Sequence, residues 1–185
     1  MDNWTLFLDR DGVLNDRIVG GYVRNWQEFS FLDGVLEAMP ILARKFKTIV
    51  IVTNQQGIAK GLMTAEDLTL VHQEMCAVID AHGGRIDKVY YCPEHHLKNP
   101  HCRRPNIGMG EQAKQDFPTI NFEQSIMVGD SITDIEFGKR LNMKTIFIET
   151  KFDIDPNKLL AIKDQIDYAF PSLHQFATNL DTIID

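Results

Sequence analysis

Short apolar segments alternate with amphipathic segments along almost the whole chain, and this alternation restricts the fold more than any other feature. Apolar runs rich in β-branched and aromatic residues predict buried parallel strands over Thr5–Leu8, Thr48–Val52, Lys88–Tyr91, Ser125–Val128 and Lys144–Ile148. Apolar residues at helical spacing predict helices over 35–46, 65–82, 108–117, 132–141, 156–163 and 172–180. The pattern predicts an α/β fold: a doubly wound parallel sheet with helices on both faces, in one domain over residues 1–185.

Capping residues mark where several of these helices begin. Thr64, with Asp67 three residues on, resembles a capping box at the start of the second helix. Asp33 is the predicted N-cap of the first helix, and the last two helices open at 155–156 and 171–172. Because the segments 15–31 and 53–91 hold little beyond a loop and crossover helices, we expect no inserted cap domain.

Charge and cysteine content narrow the functional class. A net charge of -7 on 185 residues argues against a protein that coats nucleic acid or an anionic membrane, but it leaves room for a small anionic substrate. No apolar run approaches the roughly 20 residues that span a bilayer, and Met1–Thr5 has no basic leader, so we expect a cytoplasmic protein. We also expect a monomer. In that compartment Cys76, Cys92 and Cys102 would stay reduced without a disulfide framework, Cys76 as a buried small hydrophobe.

Polar residues follow the predicted strands where a doubly wound sheet binds its ligands. Asp9 and Asp11 follow the first strand, a hydroxyl and amides over 53–56 follow the second, and Asp130 and Asp134 follow the fourth. Four acidic groups at one edge of a sheet repel one another, and a hard divalent cation with oxygen ligands relieves that repulsion. The sequence therefore predicts a cation site, best suited to magnesium.

These residues resemble the four motifs of the haloacid dehalogenase superfamily of phosphotransferases. The motifs are Asp9-x-Asp11-Gly12, Thr53-Asn54, a basic residue at Arg104, and Gly129-Asp130-x3-Asp134. The segments LFLDRDGVLN, GYV, VTNQQGIAKG, YYCPEHH and CRRPNIGM are similar to the histidinol-phosphatase-like branch, which includes the heptose bisphosphate phosphatases. The resemblance spans most of the chain and implies a Rossmann-like core without a cap domain.

The resemblance also implies a phosphomonoesterase that forms an aspartyl-phosphate. Asp9 would be the nucleophile, and Asp11 would protonate the leaving oxygen and then deprotonate the attacking water. Magnesium would be held by Asp9, the Asp11 carbonyl and Asp130. Asp134 would orient the metal's water shell or the basic residue rather than bind the ion.

Further residues are implied to hold the substrate. For the phosphoryl group they are Thr53, Asn54 and Arg104, and for the remainder of the substrate they are Gly21, Tyr22, Gln55, Gln56 and Arg103. The family usually has Lys where Arg104 stands and often Lys where Ser131 stands. Arg104 keeps the positive charge and adds a planar fork of donors.

The implied substrate is a sugar bisphosphate, namely D-glycero-D-manno-heptose 1,7-bisphosphate, which would lose its 7-phosphate in the building of bacterial surface glycans. Histidinol phosphate is the nearest alternative. A polynucleotide 3'-phosphatase is a third possibility, disfavoured by the acidic composition. A non-catalytic phosphosugar-binding protein is disfavoured because binding alone needs neither Asp9 nor Asp11.

The loop 92–102 resembles a zinc site of the same branch. Family members place Cys-x-His and later Cys-x-Cys there, whereas this chain has Glu94 and Pro100 where a His and a Cys would stand. The zinc candidates are Cys92, His95, His101 and Cys102, with His96 as an alternative ligand. Zinc and a metal-free loop both remain open, and the missing ligands favour the metal-free loop.

Overall fold

The computed structural model describes residues 3–150 and 154–184. Six parallel strands form one sheet in the order β3-β2-β1-β4-β5-β6. The strands are β1 Thr5–Leu8, β2 Thr48–Asn54, β3 Lys88–Cys92, β4 Ser125–Gly129, β5 Lys144–Ile148 and β6 Tyr168–Phe170. Strand β1 lies inside the sheet, β2 and β3 follow on one side of it, and β4, β5 and β6 follow on the other. This order confirms the doubly wound arrangement predicted from the sequence.

Six α-helices connect and cover these strands. They are α1 Val35–Lys45, α2 Ala65–Ala81, α3 Gly108–Asp116, α4 Ile132–Arg140, α5 Pro156–Ala161 and α6 Leu173–Thr178. Short 3-10 turns lie at Trp26–Glu28, His96–Lys98, Phe122–Gln124, Lys163–Gln165 and Leu180–Thr182. Among the described residues no helix is long and apolar enough to cross a bilayer, and the strand-to-strand segments contain only loops and these helices.

Alternate residues of each strand face opposite layers of helices. Leu6 and Leu8 of β1 belong to a core shared with α1, α2 and α6, whereas Phe7 between them belongs to a core shared with α3 and α4. Both faces of β1 are therefore buried. The register pairs Leu8, the last residue of β1, with Ile51 of β2 and with Val128 of β4. Strand β4 continues from that level to Gly129, and β2 continues to Asn54.

Of two sequence predictions about where helices begin, one is confirmed and the other is wrong. The capping box is confirmed, since the Thr64 hydroxyl accepts from the Asp67 amide at 3.0 Å and the Asp67 carboxylate accepts from the Thr64 amide at 2.8 Å. The prediction of Asp33 as N-cap is wrong, because Gly34 holds that position with φ of 78°. A Cβ on Gly34 would lie 2.9 Å from His174 Cβ, so packing against α6 selects a glycine there.

Two further sequence predictions were incomplete. Strand β6 was not predicted, because its three residues are too few to show a period. Cys76 is half-buried beside the core rather than fully buried, and burial raises the pKa of its thiol.

Candidate active site

A tight turn after β1 brings two carboxylates to the edge of the sheet. The Leu14 amide donates to the Arg10 carbonyl at 2.8 Å, and the Gly12 amide donates to the Asn15 carbonyl at 2.8 Å. Gly12 has φ of 89°, and a Cβ there would lie 1.9 Å from Asp130 Oδ2. Only glycine lets the turn lie directly on the Asp130 carboxylate.

Asp9 is a buried carboxylate with a guanidinium partner. Its Oδ1 accepts from the Arg10 amide at 2.7 Å and from Arg104 Nη2 at 2.7 Å. Burial raises the pKa of Asp9 to about 7, helped by repulsion from Asp134 and Asp11 and opposed by the charge of Arg104. Burial therefore disfavours the charged form of Asp9, while Arg104 and the Arg10 amide favour it.

Asp11 lies in a dense set of hydrogen-bond donors. Arg10 Nη2 donates to both carboxylate oxygens at 2.9 and 3.0 Å, Asn15 Nδ2 donates at 3.0 Å and Gln55 Nε2 donates at 2.8 Å. Burial alone would raise the pKa of Asp11, but the Arg10 charge and these hydrogen bonds hold it below its ordinary value. Four donated hydrogen bonds fix the orientation of the carboxylate.

Arg10 is itself supported by a histidine from α2. Its side chain is fully buried, and its Nη1 lies 3.1 Å from His72 Nε2. Burial, together with the nearby Arg10 charge, lowers the pKa of His72 to about 3, so the neutral ring accepts the hydrogen bond. Neither Arg10 nor His72 was predicted from the sequence, although a charged residue between two aspartates directly after a buried strand was a signal for Arg10.

Arg104 connects the first and last motifs. Its Nη2 pairs with Asp9 and its Nη1 pairs with Asp134 Oδ1, and all three side chains are buried. Asp134 Oδ2 also accepts from the Ser131 amide at 3.0 Å at the start of α4. This geometry agrees with the expectation that Asp134 orients the basic residue.

The side-chain amides of Asn54 and Gln55, at the end of β2, form hydrogen bonds with other protein groups. Asn54 Oδ1 accepts from the Arg104 amide at 3.1 Å, and Asn54 Nδ2 donates to the Arg104 carbonyl at 3.3 Å. Gln55 is buried, and its Nε2 donates to Thr53 Oγ1 at 2.9 Å as well as to Asp11. Gln55 is predicted to contact substrate, and in this structure its amide is directed at Asp11 and Thr53.

Nine of the predicted catalytic and substrate-binding residues line one cavity of about 470 Å³ at the carboxyl edge of the sheet, whereas Asp130 and Gln55 are not on its wall. Those on its wall are Asp9, Asp11, Gly21, Tyr22, Thr53, Asn54, Gln56, Arg103 and Arg104. Ser131, where the family often has Lys, lines the same cavity. Lys60 and Arg17, which the sequence analysis did not select, also line it. Gln56 Nε2 and Lys60 Nζ donate to the Tyr22 hydroxyl at 2.9 and 3.0 Å, which joins the loop after β2 to the loop that holds Tyr22.

Two donors at this cavity are buried without an acceptor. Arg103 Nη1 and Arg104 Nε find no hydrogen-bond partner among the described residues. Burial and repulsion from Arg104 lower the pKa of Arg103. Two adjacent guanidinium groups with unsatisfied donors favour an anionic ligand on this wall.

One group of carboxylates can hold a metal ion. Oxygens of Asp9, Asp130 and Asp134 lie within 4.8 Å of one another, and this is the only such group in residues 3–150 and 154–184. An all-oxygen donor set suits Mg²⁺ or Ca²⁺ rather than a soft metal. A positively charged side chain already contacts this group: Arg17 Nη2 donates to the two Asp130 oxygens at 2.5 and 2.6 Å.

The cysteine loop differs from the sequence-based expectation. Cys92 and Cys102 form a disulfide with a Cα–Cα distance of 5.3 Å, so the prediction that both thiols stay reduced is wrong. The sequence spacing could not reveal this, because Cys102 meets Cys92 only through the three-dimensional path of the loop between them. His101 Nε2 lies 2.6 Å from Glu111 Oε2, and His95 Nδ1 accepts from the Leu97 amide. The zinc candidates Cys92, His95, His101 and Cys102 therefore do not form a ligand set in this structure.

Several known proteins are similar to this chain in sequence and in fold. A HAD-hydrolase-like family model matches residues 101–176. A D-glycero-alpha-D-manno-heptose-1,7-bisphosphate 7-phosphatase of Mycobacterium bovis is 41% identical over 133 residues, which cover 72% of this chain and 70% of the relative. A D-glycero-beta-D-manno-heptose-1,7-bisphosphate 7-phosphatase of Pasteurella multocida is 34% identical over 91% of each chain.

A solved structure extends the comparison to the whole fold. The D,D-heptose 1,7-bisphosphate phosphatase of B. bronchiseptica, complexed with magnesium and phosphate, superposes with a TM-score of 0.85 at 26% identity, covering 97% of this chain and 99% of that one. Three features indicate one family. They are the parallel sheet, the acidic motifs at its carboxyl edge, and the 41% sequence identity to the M. bovis relative over 72% of this chain. The chain belongs to the haloacid dehalogenase-like phosphatases, in the family of the heptose 1,7-bisphosphate 7-phosphatases.

Proposed function

We propose that this protein is a magnesium-dependent phosphatase that removes the 7-phosphate of D-glycero-D-manno-heptose 1,7-bisphosphate. The observation that carries the proposal is the buried Asp9–Arg104 pair on the wall of a cavity with unsatisfied guanidinium donors. A dry carboxylate with a raised pKa is a reactive nucleophile, and the guanidinium groups are placed to hold a phosphoryl group beside it.

In the first step an oxygen of Asp9 forms a bond to phosphorus while the bond from phosphorus to the sugar oxygen breaks. Both hydrogen bonds that Asp9 accepts end on Oδ1, so Oδ2 is the proposed attacking oxygen. The leaving alkoxide takes a proton from Asp11. In the second step water attacks the aspartyl-phosphate, its proton returns to Asp11, and Asp9 leaves as the carboxylate.

Asp11 must gain a proton before it can act as an acid. The donors around it hold its pKa low, which suits the base role in the second step. Binding an anionic phosphoryl group nearby raises the pKa of a carboxylate by like-charge repulsion. Substrate binding would therefore prepare Asp11 for the acid role, while Arg10, Asn15 and Gln55 keep it oriented.

The residues at the carboxyl edge fit a magnesium ion. Asp9, Asp130 and the Asp11 carbonyl would hold it through oxygen atoms, and Asp134 stays with Arg104. When bound, the ion offsets the repulsion between the Asp9 carboxylate and the phosphoryl oxygens. The B. bronchiseptica relative binds magnesium and phosphate together, which supports the same arrangement here.

We assign the second phosphate of the bisphosphate to the wall that carries Arg103 and Lys60. Arg103 has a buried, unsatisfied Nη1, and Lys60 reaches the same cavity beside Tyr22. A monophosphate would leave these charges without a partner, whereas a distal phosphate would satisfy them. The relatives in M. bovis and P. multocida act on heptose bisphosphates of opposite anomeric configuration, so both anomers belong in the test.

The function is tested by comparing kcat/KM on the α and β heptose 1,7-bisphosphates, histidinol phosphate and a DNA 3'-phosphate. We expect a heptose bisphosphate to be preferred by at least about 100-fold. Arg103→Ala should raise KM for the bisphosphate by about 10- to 100-fold, since one charged hydrogen bond is lost, and should leave KM for p-nitrophenyl phosphate unchanged. Lys98→Ala is the control, because Lys98 is exposed and pairs with Glu94. Similar slow rates on all substrates would contradict the assignment.

Asp11→Asn should affect substrates according to their leaving groups. With a sugar phosphate we expect turnover to fall by about 10²- to 10⁴-fold, because the alkoxide leaves without a proton. With p-nitrophenyl phosphate, whose phenol is acidic, a stopped-flow burst of nitrophenol should largely persist while the steady state stays slow. Equal losses in burst and steady state for both esters would show that Asp11 serves only the structure.

A further inference from the structure

Arg17 lies on the same oxygen atoms that the proposed metal would use. Its Nη2 donates to both carboxylate oxygens of Asp130, at 2.5 and 2.6 Å, and lies 3.3 Å from the Asp11 carbonyl oxygen. Asp130 is 1% exposed. One guanidinium nitrogen therefore faces two of the three groups assigned to magnesium.

Arg17 differs from the other arginines of the acidic cluster in its freedom to move. Arg10 and Arg104 are buried, and each contacts a second side chain, His72 for Arg10 and Asp134 for Arg104. The Arg17 side chain is 34% exposed and comes from the loop after the β1 turn rather than from a strand or helix. It can leave Asp130 without breaking the core.

We propose that Arg17 is a tethered counter-cation that occupies the magnesium position, so that the ion and the Arg17–Asp130 pair exclude each other. The inference rests on the proposed magnesium site. A buried carboxylate cluster needs positive charge, and Arg17 supplies part of it, beside Arg104, until the ion displaces the Arg17 side chain towards the substrate cavity, part of whose wall it already forms. Metal affinity in this protein then includes the free energy of breaking the Arg17 pair.

The test is direct metal binding in the absence of substrate. Mn²⁺, an octahedral oxygen-binding ion like Mg²⁺, is titrated into the full-length protein while the loss of the free Mn²⁺ signal is followed by electron paramagnetic resonance. Mg²⁺ competition then gives the Mg²⁺ affinity. Arg17→Ala should bind both ions about tenfold more tightly, because one hydrogen-bonded ion pair no longer has to be broken.

Arg24→Ala is the matched control. It removes an equal charge from the same loop region, but Arg24 pairs with Glu28 and is exposed. Its metal affinity should stay within about twofold of wild type. An equal gain in Arg24→Ala would reduce the effect to net charge and overturn the inference, as would unchanged or weaker binding by Arg17→Ala.

Asp130→Asn separates failure of the inference from failure of the metal site. We expect this variant to lose metal binding, which supports the site on which the inference rests. Undiminished binding by Asp130→Asn would overturn the site and the inference together. Loss of binding in Asp130→Asn with no gain in Arg17→Ala would overturn the inference alone.

Discussion

Replacing Asp9 by Asn is expected to lower turnover by on the order of 10⁴- to 10⁶-fold, the size of effect seen when a covalent nucleophile is removed. Asn keeps the volume and can still accept from the Arg10 amide, but it has no anionic oxygen to attack phosphorus. Steady-state assays on a heptose bisphosphate and on p-nitrophenyl phosphate should show the same loss, because every substrate needs the nucleophile.

The same variant is expected to fold at least as stably as the wild type. The Asp9 carboxyl has a pKa of about 7 in the folded protein against an ordinary 3.8, so its ionisation destabilises the fold increasingly as the pH rises through that interval. At pH 8 Asp9→Asn should therefore have an equal or higher Tm, measured by calorimetry. Asp16→Asn is the matched control, since Asp16 is exposed on the same loop and does not line the catalytic cavity. Appreciable turnover in Asp9→Asn would contradict the covalent mechanism.

Removal of magnesium is expected to have the second largest effect. Chelation by EDTA should lower kcat by on the order of 10³-fold, equivalent to several kcal/mol of charge stabilisation. Added Mg²⁺ should restore the rate. Ca²⁺ should restore little, because its longer bonds and higher coordination number would misplace Asp9 and the phosphate.

Asp130→Asn should reproduce the chelated state in the presence of millimolar Mg²⁺. The Asp130 carboxylate is buried directly beneath the Gly12 turn, so the variant removes one of the charged oxygen ligands proposed for the ion. Asp16→Asn, with unchanged Mg²⁺ dependence, controls for general effects of charge loss. Full activity of Asp130→Asn at limiting Mg²⁺ would remove Asp130 from the metal site.

The sequence determined the architecture and the place of the chemistry. Apolar runs buried on both faces and separated by helical patterns allow few alternatives to a doubly wound parallel sheet, so the predicted strands agree closely with those observed. Because parallel strands end at one edge, motifs far apart in the chain must meet there. The pairing of Asp9 with Arg104, and the position of Asp130 beneath Gly12, follow from that topology.

The tertiary structure alone decided which side chains support the site and how. Hydrogen bonds between residues distant in sequence leave no local pattern, so the contact of His72 with Arg10 and the use of the Gln55 amide on Asp11 could not be predicted. The Cys92–Cys102 disulfide depended on how one loop folds back onto β3. The position of Arg17 on Asp130 was also hidden, because an exposed loop arginine has no periodicity and only the three-dimensional path of the chain brings it to a carboxylate 113 residues away.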